Sequence, residues 1–170
     1  RQIRNTVHTI TEYFVSHPYI IHVHVYIHGG NRNYFASGDD GFRMQLAGMA
    51  SNRGRNLLHI ADTAPGGAAF SVVLSNEEGA PIIESAAERG IPTEVIERDP
   101  NETREEHEAR ILERLEGYDV DLVCLDGYMR ILTETFLESA PTTINVHPSL
   151  LPSFPGMDAH EQVPEAAVSV

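Results

Sequence analysis

The sequence contains no lysine, only one cysteine and no long apolar run. These features argue against binding to nucleic acid, a disulfide within the chain and a membrane span. The chain has 12 basic residues, all of them arginine, and 25 acidic residues, which gives a formal net charge of -13. Such a chain lacks the cationic surface that non-specific nucleic-acid binding requires. No apolar run approaches the roughly 20 residues needed to cross a bilayer. We therefore expect no nucleic acid and no membrane as partners, and a cytoplasmic location.

The single cysteine, Cys124, lies inside the apolar run at residues 120–125. One cysteine permits no disulfide within the chain and is typical of a reducing compartment. Reactive cysteines lie in electropositive, partly exposed surroundings, and an apolar run does not provide them. We therefore predict a buried structural thiol at this position.

The acidic residues are unevenly distributed along the chain. Residues 1–43 have a net charge of +1 and residues 44–170 a net charge of -14. We interpret the acidic part as an adaptation to high internal salt, in a salt-adapted archaeon, because salt screens the repulsion between surface carboxylates. The alternative is an ordinary acidic protein from a GC-rich genome.

Residues 1–43 also differ from the rest in composition, since they hold 7 of the 12 aromatic residues and 5 of the 9 histidines. Strict alternation over residues 21–28 predicts a strand with His22, His24 and His28 on one face. Histidines at this spacing can bind a transition metal, but no nearby carboxylate or cysteine completes a ligand set. An added or irregular strand without a metal is therefore the favoured interpretation.

The glycine-rich segment Gly29–Gly41 reads as a linker. Together with the absence of an initiating methionine, it leads us to assign residues 1–43 to an atypical, irregular N-terminal extension outside the functional domain. Residues 44–170 form the predicted domain.

From residue 44 onward, strand and helix patterns alternate. The strand candidates are residues 44–50, 70–74, 93–96, 120–125 and a strand that includes Ile144, and the helix candidates are residues 57–63, 81–89, 102–116 and 134–138. This alternation predicts an α/β fold, Rossmann-like, with a mainly parallel sheet flanked by helices. Ligands of such sheets gather at the carboxyl ends of the strands.

The last of these strands carries the most chemistry. In the sequence I-N-V-H, apolar residues alternate with Asn145 and His147, and three prolines stiffen the loop that follows. An amide and an imidazole at a strand end can stabilise an oxyanion and transfer a proton. Taken alone, the pair is more typical of a strand-end histidine beside a turn-forming asparagine.

Two other segments follow predicted strands. Residues 51–56 (SNRGRN) join a strand to a helix, where unpaired amides and the helix dipole attract anions, although many such turns bind nothing. In the segment 128–132, the residues alone favour Met129, Ile131 and Leu132 as core and Arg130 as a surface charge. The helix residues His59, Arg104 and His107 are expected at the surface.

The string NVHPSLLPSFPGMDAH at residues 145–160, together with SNRGRNL and GYMRIL, resembles the phosphoribosylglycinamide formyltransferase family of folate-dependent enzymes. The resemblance implies the formyltransferase N-terminal fold and transfer of a formyl group from 10-formyltetrahydrofolate to glycinamide ribonucleotide in purine biosynthesis, without a metal. It implies that Asn145 and His147 are catalytic. It also implies that the phosphate is bound by Gly54, Arg55 and Asn56, and the folate by Arg104, Met129, Arg130, Ile131, Leu132 and Asn145.

The sequence departs from the family pattern in three places. Asn52 stands where the family has glycine, and Arg55 stands where it has serine, which puts the mode of phosphate contact in doubt. Family members also continue past the position of Val170 with further strands and an aspartate that sets the charge of the histidine. We therefore expect the chain as given to be weakly active or inactive.

Three alternatives remain open at this point. The chain can be a formyltetrahydrofolate deformylase, a methionyl-tRNA formyltransferase, or a truncated remnant that binds nucleotide or folate without catalysis. The first usually has an N-terminal regulatory domain and the second a basic C-terminal domain. The sequence leaves the oligomeric state open.

Overall fold

The computed structural model describes residues 8–16, 19–27, 44–64 and 67–147, which form one seven-stranded sheet with helices packed against it. The strands are β1 (His8–Ser16), β2 (Tyr19–Ile27), β3 (Met44–Met49), β4 (Ala68–Ser75), β5 (Thr93–Val95), β6 (Leu122–Asp126) and β7 (Thr142–His147). The helices are α1 (Arg55–Thr63), α2 (Pro81–Ala87), α3 (Arg104–Gly117) and α4 (Glu134–Ser139).

The sheet has the strand order β1-β2-β7-β6-β3-β4-β5. The five strands from β7 to β5 run parallel, whereas β1 and β2 are antiparallel additions next to β7. Parallel neighbours need crossover connections, and the helices between the strands supply them. The predicted α/β class with a mainly parallel sheet is confirmed.

Two apolar clusters cover the two faces of the parallel part of this sheet. Successive residues of a strand point to opposite faces, so Val123 and Cys124 of β6 belong to different clusters. On the face of Val123 pack Ile111 and Leu115 of α3 and Phe136 of α4. On the face of Cys124 pack Leu57 of α1 and Ile82 and Ala86 of α2. The core is therefore a helix–sheet–helix sandwich with β6 and β3 at its centre.

Cys124 is 4% exposed, which confirms the predicted buried thiol. Burial raises its pKa to about 12, because a thiolate there would lose its hydration. None of the helices in the described ranges combines the length and apolarity that a membrane span requires.

The strand predicted from the histidine alternation is confirmed, since β2 covers residues 19–27. Its backbone pairs with β7, so that His22 is opposite His147 and His24 is opposite Asn145. β1 pairs with the other edge of β2 over its full length. The assignment of residues 1–43 to an extension outside the functional domain stays a prediction.

One helix residue is wrongly predicted. His107 is 3% exposed rather than at the surface, and its Nε2 lies 2.7 Å from the carbonyl oxygen of Ile96. His107 precedes Ile111 by four residues, which places it on the same stripe of α3 that faces the sheet. The position of His107 on the helix therefore decides its burial despite the polar side chain, and the carbonyl of Ile96 provides a hydrogen-bond partner for Nε2.

Candidate active site

The parallel register brings three strand ends to one edge of the sheet. Met49 of β3 is opposite Leu125 of β6, and Leu125 is opposite Asn145 of β7. The loop that follows β3, the segment that follows β6 and the end of β7 are therefore neighbours. This juxtaposition is the one expected from the carboxyl edge of a parallel sheet.

The loop after β3, residues 51–54, packs closely against α2 at a glycine, Gly54. Gly54 is buried and adopts φ +53°, and it is the N-cap residue of α1. A Cβ added to it would lie 2.7 Å from Cδ1 and 2.9 Å from Cγ1 of Ile82. The backbone of Ile82 also donates to the carbonyl of Asn52 at 3.0 Å. Glycine is therefore required by both the backbone conformation and the close approach of α2.

No side chain caps the amino end of α1 from the N-cap position. One carboxylate reaches it from β6: Oδ2 of Asp126 accepts from the backbone N–H of Asn56 at 2.9 Å, and Oδ1 accepts from its Nδ2 at 2.9 Å. The side chains of Arg53 and Arg55 are exposed and have no hydrogen-bond or ion-pair partner in the described ranges. Among the described residues, the loop thus presents two guanidinium groups without a partner next to one backbone N–H that already donates to a carboxylate.

Ser51 ties this loop to the segment after β6. Its backbone N–H donates to the carbonyl of Gly127 at 3.2 Å, and its Oγ accepts from the N–H of Met129 at 2.7 Å. The same hydroxyl donates to Oδ1 of Asn76 at 2.5 Å. The two segments that the resemblance associates with phosphate and with folate are therefore joined directly by hydrogen bonds.

The segment 128–132 forms one side of an open cavity of about 240 Å³. The cavity is lined by Arg98, Arg104, His107, Glu108, Tyr128, Met129, Arg130, Ile131 and Leu132. It brings together Arg104 and the four residues from 129 to 132 that the resemblance associates with folate. Their role in binding folate stays a prediction.

The interpretation of Met129 and Ile131 as core residues is wrong. Met129 is 56% exposed and Ile131 is 78% exposed, whereas Leu132 packs partly against the α3 face of the core. These two residues lie beyond the last residue of β6, and none of the four described helices buries them. Large apolar side chains exposed along a cavity are typical of a ligand-binding surface.

A buried carboxylate fixes the far end of this segment. Glu108 of α3 is 4% exposed, and it accepts hydrogen bonds from the backbone N–H of Thr133 at 3.0 Å and from its hydroxyl. The Thr133 hydroxyl in turn accepts from the N–H of Phe136 and caps α4. Burial also raises the pKa of the Tyr128 phenol, so this residue is neutral at physiological pH.

Asn145 is half-buried in β7, two residues beyond the buried Thr143 on the same strand face. The parallel pairing of β7 with β6 ends at Val146 opposite Asp126, so His147 is the first residue past it. For His147 the structure gives the backbone position only. The proline-rich loop that follows it lies beyond the last described residue.

Three residues that contribute to the site were not predicted from the sequence: Ser51, Glu108 and Asp126. Asp126 had a usable signal, because it is a charged residue at the end of a central strand and comes directly before a glycine. Ser51 and Glu108 had none, since their partners are far away in the chain. For the described residues, no group of three or more histidine, cysteine, aspartate or glutamate side chains is placed to hold a metal ion.

Comparison with known proteins settles the family. The model of the formyl transferase family ("Formyl transferase") matches residues 44–170. The chain belongs to this family. The solved structure of glycinamide ribonucleotide transformylase 1 from Symbiobacterium toebii superimposes on this chain with a TM-score of 0.68 at 35% identity, covering 74% of this chain and 61% of that one.

Curated relatives agree with this assignment. Phosphoribosylglycinamide formyltransferase of Escherichia coli is 32% identical over 126 residues, which is 72% of this chain and 59% of that protein. The trifunctional purine biosynthetic protein adenosine-3 of Homo sapiens is 38% identical over 132 residues, which is 75% of this chain but 13% of that protein. The chain thus spans somewhat more than half of the bacterial relative and a small part of the trifunctional one.

Proposed function

We propose that this formyltransferase domain transfers a formyl group from 10-formyltetrahydrofolate to the amine of glycinamide ribonucleotide. The observation that supports it best is the alignment of Met49, Leu125 and Asn145 across three neighbouring parallel strands. This alignment makes an anion-attracting loop, an apolar cavity wall and an amide side chain neighbours at one edge. Relatives that share this domain are named for the same reaction.

The phosphate of the ribonucleotide binds at residues 54–56 in this proposal. Gly54, Arg55 and Asn56 begin α1, whose first amides have no helical partner and carry the positive end of the helix dipole. The guanidinium of Arg55, which has no partner among the described residues, can add a charge-assisted hydrogen bond in place of the family's serine. The exposed positions of Arg53 and Arg55 support this mode of contact.

The folate binds along the cavity formed by residues 128–132. Met129 and Ile131 supply apolar surface that a flat aromatic ring can cover, and backbone groups of Arg130 and Leu132 are available as hydrogen-bond partners. Arg104 lies at the start of α3 beside the cavity and can pair with a carboxylate. The apolar lining with a few polar groups fits a small heteroaromatic ligand.

The chemistry requires one oxyanion and one proton transfer. The amine nitrogen attacks the formyl carbon, a tetrahedral oxyanion forms, and the bond from that carbon to the folate nitrogen then breaks. Asn145 donates its amide N–H to the oxyanion, and His147 carries a proton to the departing nitrogen while the attacking amine loses one. No metal and no covalent enzyme intermediate take part in this scheme.

The proposal also covers the cellular location of the enzyme and the salt concentration inside its host. A cytoplasmic enzyme that acts on small molecules is consistent with the acidic, lysine-free chain. The net charge of -13 supports a host with high internal salt. Thermal unfolding measured at low and at high KCl tests this point: a salt-adapted protein unfolds at a much lower temperature without salt, and an ordinary acidic protein does so only slightly.

Mass spectrometry of the reaction products tests the central proposal. Incubated with both substrates, the wild-type chain is expected to produce formylated glycinamide ribonucleotide, even if slowly. Asn145→Ala is expected to lower kcat about 100-fold or more, since one oxyanion donor contributes about that much. His147→Ala is expected to lower it by a similar factor, in the range that general acid–base groups contribute.

Two controls separate the alternatives. Val95→Ala changes an exposed residue on the edge strand β5 and is expected to leave turnover unchanged. Formate released without the ribonucleotide would identify a deformylase instead. Binding of both ligands without any turnover would identify a non-catalytic remnant, and either result would contradict the proposal.

A further inference from the structure

Asp126, at the end of β6, accepts hydrogen bonds from Asn56. Under the proposed function, Asn56 is one of the residues that bind the phosphate. Both of its carboxylate oxygens accept from Asn56, one from the backbone N–H and one from the side-chain amide, each at 2.9 Å. Asn56 is the second residue of α1. The amide that Asp126 binds is therefore one of the few that the helix leaves unpaired.

A phosphate brought to this helix end meets a negative charge already in place. The carboxylate of Asp126 repels it, and the two guanidinium groups of Arg53 and Arg55 attract it. Both arginines are exposed and have no partner in the part of the chain that the structure describes. With phosphate bound, the two positive charges of the arginines therefore lie near the negative charges of both the Asp126 carboxylate and the phosphate.

We propose that Asp126 is a specificity-determining residue that weakens phosphate binding at this loop and makes it depend on the arginines. The inference rests on the proposed function for the location of the phosphate, but it needs no formyl transfer. Its consequence is selection: a doubly charged phosphate is retained when Arg55 engages it, and an anion that reaches only the helix amides is rejected.

A purely structural role for Asp126 predicts the opposite sign. If the carboxylate only held Asn56 in position for the phosphate, its loss would weaken phosphate binding or leave it unchanged. Asp126→Asn separates the two roles, because the asparagine oxygen can still accept from the N–H of Asn56 while the charge is gone. Asp126→Ser repeats the removal of charge with a smaller acceptor.

The test is isothermal titration calorimetry with inorganic phosphate and, separately, with glycinamide ribonucleotide. At low KCl, Asp126→Asn is expected to bind both about three- to tenfold more tightly than the wild type, the effect of removing one unit charge a few ångströms from a doubly charged group near a protein surface. Arg55→Gln is expected to bind both more weakly. The difference between Asp126→Asn and the wild type shrinks at high KCl because the charges are screened.

The matched control is Glu116→Gln, which removes one exposed carboxylate from the last turn of α3. That turn leads into the start of β6, at the opposite edge of the sheet from the loop. The affinity of Glu116→Gln for phosphate is expected to stay within about twofold of the wild type, since charges farther apart than the Debye length are largely screened. Where turnover is measured, Asp126→Asn should lower KM for the ribonucleotide more than it changes kcat.

Unchanged or weaker binding by Asp126→Asn and Asp126→Ser would overturn the inference, and so would the absence of phosphate binding in every variant. A tightening as large in Glu116→Gln would also overturn it, because the effect would then be general. The proposed function fails separately: tighter phosphate binding without formyl transfer contradicts that function alone. Formyl transfer with unaltered phosphate affinity contradicts this inference alone.

Discussion

The loop at residues 51–56 and the segment at residues 128–132 leave neighbouring parallel strands at the same edge, yet they are built in different ways. The loop is anchored by burial, with Gly54 pressed against Ile82 of α2. The segment exposes its apolar side chains and is fixed through hydrogen bonds at its two ends, by Ser51 and by Glu108. The loop is therefore anchored in the core, whereas the segment presents an exposed apolar surface.

This difference follows from the ligands proposed for each half. A phosphate is recognised by backbone N–H groups, which must be held in fixed directions, so its loop needs a packed and unusual backbone. A flat heteroaromatic ligand is recognised by apolar surface, which must stay exposed until the ligand arrives. The two halves should therefore respond differently to substitution: the loop in stability, and the segment in ligand affinity.

The largest effect is expected from Gly54→Ala. The substitution forces a left-handed backbone on alanine and places its Cβ within 2.9 Å of two atoms of the fully buried Ile82. These two effects together should lower the free energy of unfolding by about 2–5 kcal/mol. Urea denaturation followed by circular dichroism measures it.

The control for that prediction is Gly90→Ala. Gly90 also has a positive φ, of +72°, but a Cβ there meets nothing within 4 Å. Only the backbone contribution of about 1–2 kcal/mol should be lost. Equal losses at the two positions would show that packing against α2 does not hold the loop.

The next effect is expected at Glu108, which anchors the segment 128–132 through Thr133. Glu108→Ala removes the acceptor of the Thr133 N–H and leaves that group without its partner, which should lower the free energy of unfolding by about 1–3 kcal/mol. It should also raise KM for 10-formyltetrahydrofolate more than KM for the ribonucleotide. Glu113→Ala, at an exposed position of the same helix, is the matched variant. Similar changes in the two variants would refute the anchoring role.

Ile131→Ser should act on affinity and hardly on stability. Its side chain is 78% exposed, so its loss should change the free energy of unfolding by less than about 0.5 kcal/mol. A folate that covers this side chain would lose about 1–2 kcal/mol of binding, roughly a tenfold rise in Kd. Val95→Ser removes another exposed apolar side chain, on β5, and should leave the Kd unchanged. A folate Kd unaffected by Ile131→Ser would remove the segment from the site.

The smallest signal is expected from Cys124, which lies in the same apolar cluster as Leu57 of α1 and Ile82 of α2. Because burial raises the pKa of its thiol to about 12, almost no thiolate is present at pH 8. A disulfide reagent should therefore label the native protein far more slowly than the urea-unfolded protein. Rapid labelling of the native chain would show that this layer of the core opens freely.

The sequence was sufficient to predict the α/β scaffold, and it named the candidate site residues that stay a prediction. Periodicity gave the alternating strands and helices, and the parallel topology then placed three strand ends together. The burial of His107 was missed because polarity was weighed above its place on the apolar stripe of α3. The exposure of Met129 and Ile131 was missed because an apolar residue has the same local signature in a core and in a ligand-binding wall.

The contacts that join the two halves were beyond the reach of sequence reasoning. Asp126 meets Asn56 across 70 positions of the chain, and Met129 meets Ser51 across 78. Such pairs depend on the register of β6 against β3 and on how each loop turns as it leaves its strand. The resemblance to a family supplied the roles proposed for the segments, and the structure supplied the hydrogen bonds between them.

The most direct measurement of the account is a crystal structure of the chain with glycinamide ribonucleotide and a stable analogue of 10-formyltetrahydrofolate. The account predicts the phosphate against residues 54–56, the folate ring against Met129 and Ile131, and the side-chain amide of Asn145 between the two ligands. A phosphate bound elsewhere, or a folate ring away from residues 128–132, would contradict it.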